Sequence, residues 1–132
     1  MGCANYHARI RFPDDGSVWL LRVPRISSSI PQFLADYIIH SEYATLKFLK
    51  MTNVPAPRVF DYGLASDKNN TVGVSYIIME HMTGRPWSMQ GLHEKRFADD
   101  TDKERVWNGL AEILIESQHH SFSKAGSFLL GP

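Results

Sequence analysis

Apolar residues change their spacing several times along the chain, and each change marks an element. Residues 6–12 alternate Tyr6, Ala8, Ile10 and Phe12 against His7, Arg9 and Arg11. That pattern predicts a half-exposed strand, apolar in and basic out. Pro13-Asp14-Asp15-Gly16 is turn chemistry, with Gly16 free to take a positive φ. Residues 17–23 then return as a second strand, so 6–23 reads as a hairpin. On that strand Val18 and Leu20 share a face with Arg22, and Trp19, Leu21 and Val23 share the other. After a loop over 24–29, the spacing predicts a helix over 31–51, with Ser29 or Ile30 at its cap and Pro31 in the first turn. At about 100° per residue, Leu34, Ile38, Leu46 and Leu49 fall within an arc of about 120°. Glu42 falls inside the same arc.

Asn53-Val54-Pro55-Ala56-Pro57 is a stiff extended link, because proline pushes its predecessor out of the helical region. Residues 58–64 read as a short strand, and 66–71, rich in Asp and Asn, as a hairpin loop. The stretch 72–86 is the one the rest is organised around. Its first half is a strand, with Val74, Tyr76 and Ile78 on one face and Ser75, Ile77 and Met79 on the other. Nearly all are apolar, which predicts cover on both faces. At Glu80 the character changes, and Gly84 and Pro86 stop regular structure. A buried strand opening into a kinked connector forms a boundary between two lobes, with backbone groups left free to bond a ligand. Residues 87–91 read as irregular. Thr101-Asp102-Lys103-Glu104 matches a capping box. A second helix then runs to about His119, with Val106, Leu110, Ile113, Leu114 and Ser117 at helical spacing and Trp107 beside them. That face must be buried against something. Residues 126–130 read as a short strand with nothing after it to pair with.

Composition narrows the function classes. Apolar residues make up 43% of the 132, enough for a core and too many for a disordered chain. Lys plus Arg equals Asp plus Glu at 14 each, so no basic excess points to nucleic acid or an anionic membrane. No apolar run approaches the roughly 20 residues that span a bilayer. The N-terminus lacks the design of a signal peptide, and Tyr6 stands where a lipidation signal needs Ser or Thr. Cys3 is the only cysteine, which excludes an internal disulfide and fits a reducing, cytoplasmic setting.

Two charges sit in apolar company. Arg22 either snorkels to water at a sheet edge or has a carboxylate or phosphate partner inside. Glu42, on the next helix, either lies at an exposed end of its stripe or needs a partner, since a buried unpaired carboxylate is costly. The simplest account pairs them. Other constellations carry less. His119 and His120 with Glu116 have ligand chemistry, but adjacent histidines on a helix diverge by about 100°, which favours a frayed, solvated helix end. Asp99, Asp100 and Asp102 sit where a helix N-terminus favours acids.

The order strand, strand, helix, strand, strand, connector, helix carries a resemblance. The residues that bear it are Gly2-Cys3-Ala4-Asn5-Tyr6; Val18-Trp19-Leu20-Leu21-Arg22-Val23-Pro24; Ser41-Glu42-Tyr43-Ala44-Thr45-Leu46-Lys47-Phe48-Leu49; Val54-Pro55-Ala56-Pro57-Arg58-Val59; and Tyr76-Ile77-Ile78-Met79-Glu80-His81-Met82-Thr83-Gly84-Arg85-Pro86. Together they resemble the small lobe of the aminoglycoside-phosphotransferase-like kinases, within the wider protein-kinase-like fold. The likeness covers residues 2–86 well and 100–130 more loosely.

The resemblance implies an α+β fold. Residues 1–82 would be a nucleotide-binding small lobe, an antiparallel sheet with one packed helix and its first strand missing. Residues 83–132 would be the hinge exit and the first helix of an incomplete large lobe. Arg22 would replace the strand lysine that contacts nucleotide phosphates, with Glu42 as its helix partner. Arginine serves the same electrostatics with a planar fork. Met79 would stand at the back of the adenine pocket, the Glu80 carbonyl and Met82 amide would bond the adenine edge, and Gly2 and Asn5 would lie near the phosphates. The implied cofactor is ATP.

One departure is large. Phosphoryl transfer needs a base for the acceptor and ligands for magnesium, which the family supplies as His-x-Asp-x-x-x-x-Asn and a further Asp. None of the 6 histidines is followed two residues later by Asp. No catalytic residue and no metal ligand is therefore assigned. The expectation is a fragment of an ATP-dependent small-molecule phosphotransferase, inactive by itself. The alternative is a non-catalytic kinase-like remnant that serves as an interaction module, or an incomplete gene product. Either way, the apolar face of helix 102–119 and the open edge at 6–12 predict self-association.

Overall fold

The computed structural model describes residues 5–25, 30–84 and 100–131. Its elements are β1 (Asn5–Arg11), β2 (Val18–Pro24), α1 (Gln32–Leu49), β3 (Val59–Gly63), β4 (Tyr76–Glu80) and α2 (Asp100–Gln118). The four strands form one antiparallel sheet in the order β1-β2-β4-β3. The fold is α+β, with α1 packed on the β3–β4 half of the sheet.

The hairpin β1–β2 forms as its sequence predicts. Gly16 takes a φ of 70°, and its N–H donates to the Phe12 carbonyl while the Phe12 N–H donates to Ser17. The β3–β4 connection is held by side chains suited to turns. Asn70 donates from its amide to the carbonyls of Leu64 and Val74 and accepts from the Val72 N–H. The buried Ser75 hydroxyl accepts from Ala65 at 2.9 Å. This satisfies a polar group inside the core side of β4.

The core is small. Ile39 from α1 meets Val59, Ile77 and Met79 from β3 and β4, with Leu20, Tyr43, Leu46, Tyr62 and Leu64 around them. Ser75, Ile77 and Met79 are buried while Val74, Tyr76 and Ile78 are not, so the alternation along β4 holds but only one face is covered. On the other face Trp19 stacks on Phe60 at 4.3 Å and meets Phe12 at 4.6 Å. Phe60 reaches that side by ordinary alternation from Val59, and a bulge between Val59 and Asp61 then sets Asp61 opposite Ile78.

Several expectations are corrected. The buried stripe of α1 is Ala35, Ile39 and Ala44 rather than Leu34 and Ile38, which are exposed. The stripe is thus turned by one residue at its N-terminal half, while Leu46 still packs on the core. Pro31 occupies the cap of α1 with no side-chain bond, and Ser29 lies outside the described residues. The basic residues of β1 are exposed as expected, but Tyr6 and Ala8 are exposed too, so the strand has no buried face, and the basic side is the helix side of the sheet. His7 stands opposite Arg22, and Arg9 opposite Leu20, on the face that α1 covers further along. Arg22 must face the helix to meet Glu42, and strict alternation carries His7, Arg9 and Arg11 with it. Thr101 lies inside α2, which already includes Asp100, so no capping box starts there. Residues 126–130 form no strand; instead Phe128 stacks on Phe48 at 4.8 Å. The apolar face of α2 stays uncovered among the described residues, as the expectation of self-association required: none of its residues is buried, and Leu110 and Leu114 are exposed.

Candidate functional site

Arg22 and Glu42 come together. They form an ion pair between β2 and α1, each side chain about a quarter exposed, at 28% and 26%. The pairing follows from local geometry. Arg22 lies on the α1 side of β2, opposite Ile77 of β4, and Glu42 lies on the α1 face between Ile39 and Leu46. Partial burial lowers the guanidinium pKa from its usual value, yet an arginine keeps its charge at any physiological pH. Of the alternatives for Arg22, a carboxylate partner is the one realised, and water still reaches the pair.

Met79 shares this face. It is buried, flanked by Leu20 of β2 and Val59 of β3. Arg22 and Met79 are thus separated by one residue pair of the ladder, about 7 Å along the strands. Glu80 closes β4. Its N–H donates to the Arg58 carbonyl at 2.8 Å, and its carboxylate accepts from the Arg58 N–H at 3.1 Å. Both bonds tie the end of β4 to the link before β3. Met82, in the connector beyond, is 55% exposed, and among the described residues nothing bonds its amide. Asn5 stands at the start of β1, opposite Pro24 and half-buried. Gly2 lies outside the described residues. The sheet therefore gathers Arg22, Glu42 and Met79 on one face, with Glu80 and Met82 following at the strand end. A cleft of about 340 Å³ lies beside Asn5, lined by Tyr6, Val23, Pro24 and Ser75, and two others lie away from these residues. One of about 520 Å³ is lined by the end of α1 and residues 128–131, and one of about 300 Å³ by Asn53, Pro55 and the α2 side chains Ile113 and Glu116. Among the described residues no group of three or more His, Cys, Asp or Glu side chains is placed to hold a metal ion.

A second polar cluster was only partly legible in the sequence, which grouped Glu116 with His119 and His120 but not with Asn53. Glu116 of α2 accepts from the Asn53 backbone N–H at 3.0 Å and from the Asn53 side-chain amide at 3.3 Å. His120 Nε2 lies 3.3 Å from its carboxylate and His119 Nδ1 3.6 Å. The Asn53 backbone bond, then the Asn53 side chain, then His120 lower the Glu116 pKa from 4.5 to about 2. His120 also sits edge-on to Phe48, which in turn meets Phe122 and Phe128. The end of α2 is therefore packed rather than frayed. Asn53 and Glu116 are 63 residues apart, and no spacing rule connects them. The histidine pair was the visible signal, but its partner across the fold was not.

The architecture defines a small α+β protein with a four-stranded antiparallel sheet. No helix of the described residues is long and apolar enough to cross a membrane. No protein-family model matches the chain. It is similar to subtelomeric hrmA-associated cluster proteins from two strains of Aspergillus fumigatus, 41% identical over 59 residues. That match covers 44% of this chain and 11% of each relative, so the chain spans only a small part of their length.

Proposed function

We propose that the chain is the nucleotide-binding lobe of an aminoglycoside-phosphotransferase-like protein, and that it binds ATP without transferring phosphate by itself. The observation that carries this reading is the Arg22–Glu42 pair joining a central strand to the packed helix. It is the pairing that the resemblance requires of the phosphate-contacting strand residue and its helix partner. The guanidinium keeps partial exposure, so it can meet a phosphate oxygen without leaving Glu42. Met79 on the same face, and the unclaimed Met82 amide beyond Glu80, support an adenine-edge contact. Magnesium has no such support among the described residues, and no step is assigned to it. The balanced charge and the single cysteine favour a cytoplasmic protein without a nucleic-acid or membrane partner. Trp107, Leu110, Leu114 and Ile115 form an exposed stripe along α2, which favours self-association of the chain through this helix.

Titration of the purified chain with ATP, followed by calorimetry, tests the reading. Saturable binding that is lost in Arg22→Ala, with no ATP-dependent phosphorylation of any hydroxyl acceptor, is the expected result. A folded chain that takes up no ATP would leave the rival in place, a non-catalytic module that binds another partner. Turnover that survives removal of contaminating kinases would overturn the inactive assignment.

A further inference from the structure

We infer that the Glu80 carboxylate is a positioning group for base recognition: it takes a bond due to its own backbone carbonyl, and so leaves that carbonyl free to accept from the 6-amino group of adenine. The register that sets Val59 opposite Met79 carries on by one step to Arg58 opposite Glu80. The Glu80 N–H donates to the Arg58 carbonyl at 2.8 Å. The pair is therefore of the kind in which opposite residues exchange two backbone bonds. The N–H and C=O of one strand residue point the same way, so the Glu80 carbonyl faces Arg58 as well. The second backbone bond is nevertheless not made. The Arg58 N–H donates to Glu80 Oε2 instead, at 3.1 Å. Among the described residues no N–H of a turn, link or loop donates to the Glu80 carbonyl, and its direction takes it away from β2.

This inference rests on the nucleotide reading above and sharpens it to a choice of base. A carbonyl relieved of its ladder bond is an acceptor in need of a donor, placed where β4 gives way to the connector. It suits a 6-amino purine. Against a 6-oxo purine it would set one oxygen lone pair against another, so the carboxylate separates base classes rather than merely strengthening binding. Neither Arg22 nor Glu42 takes part, which makes phosphate affinity and base choice separable. A carboxylate that only tied β4 to the preceding link would affect every nucleotide alike.

Two measurements on the full chain test it. In the unliganded chain, scalar couplings across hydrogen bonds identify the acceptor of the Arg58 N–H. A coupling to Glu80 Cδ is expected, moving to the backbone carbonyl carbon of position 80 in Glu80→Ala. A coupling to that carbonyl carbon in the unaltered chain would overturn the inference. Calorimetry then compares ATP with inosine triphosphate and with purine riboside triphosphate, which lacks only the 6-amino group. The unaltered chain is expected to bind ATP about tenfold more tightly than either. Glu80→Ala should bring all three within about twofold of one another, with affinity for purine riboside triphosphate unchanged. Glu80→Gln, whose amide oxygen can still accept from Arg58, should keep the preference. An equal loss for all three in Glu80→Ala, with the preference retained, would show a structural tie and overturn base positioning. An unaltered chain that binds the three alike overturns this inference and leaves the nucleotide reading standing; one that binds none of them overturns both. The coupling and the preference are read on the unaltered chain, so a variant that fails to fold leaves the test intact.

Discussion

The two helices are nearly the same length, 18 and 19 residues, and both carry apolar residues at helical spacing. They nevertheless meet different fates. Chain order places α1 between the two hairpins of one sheet, so the helix crosses that sheet and buries Ile39 to 1% exposure. No strand or helix of the described residues packs closely on α2, whose Leu114 stays 68% exposed. A few polar bonds and an aromatic cluster at its C-terminal end hold it instead. The lesson is that amphipathic pattern makes a helix ready for burial, but only a neighbouring surface supplies it.

The sharpest way to break this comparison is to cut equally into both helices. Ile39→Ala removes a fully buried side chain and should cost about 2–5 kcal/mol in urea unfolding. Leu114→Ala should change stability by at most about 0.5 kcal/mol. Similar losses would mean that α2 has a cover in solution. Sedimentation supplies the companion measurement: a Leu114→Asp chain that is monomeric where the unaltered chain dimerises would locate the self-association stripe on α2.

Next in size is the ion pair that links α1 to the sheet. Arg22→Ala leaves Glu42 half-buried without its partner, and should cost about 1–3 kcal/mol, between the values for exposed and fully buried pairs. A loss within error of zero would show that water already screens the pair. A smaller effect is expected at Gly63, where an added Cβ would lie 2.4 Å from the Tyr76 ring. Gly63→Ala should cost about 1 kcal/mol as that ring turns aside, read from the shift of the urea midpoint.

The least effect on global stability, and the most local, concerns Glu116. Its pKa is lower in the folded chain than in the unfolded one. Its contribution is therefore complete above the unfolded value of 4.5 and drains away as pH falls through about 2. Amide chemical shifts of α2 should move across that window while those of the sheet stay put. The Glu116→Gln chain should show the loosened α2 already at neutral pH. Sheet and helix shifts moving together would show that α2 belongs to one cooperative unit with the core.

Local rules were enough for much of this protein. Alternation, the Asp15-Gly16 turn and the Pro-bounded link determined the elements and their order, because strand period, turn chemistry and helix spacing act over a few residues. The apolar setting of Arg22 and Glu42 likewise made their pairing legible, since each charge in such company demands a partner. The balanced charge, and the lack of an apolar run long enough to span a bilayer, were legible from composition and spacing alone. Tertiary structure alone decided which face each element turned. Seating Arg22 under α1 carried the basic residues of β1 to the helix side of the sheet, beyond the helix, where they remain exposed. Packing against the sheet buried Ala35 and Ile39 rather than Leu34 and Ile38. Asn53 met Glu116 only because the chain folded back on itself. Periodicity fixes which residues share a face, but the orientation of that face depends on contacts between residues far apart in the chain, and those energies have no local signature.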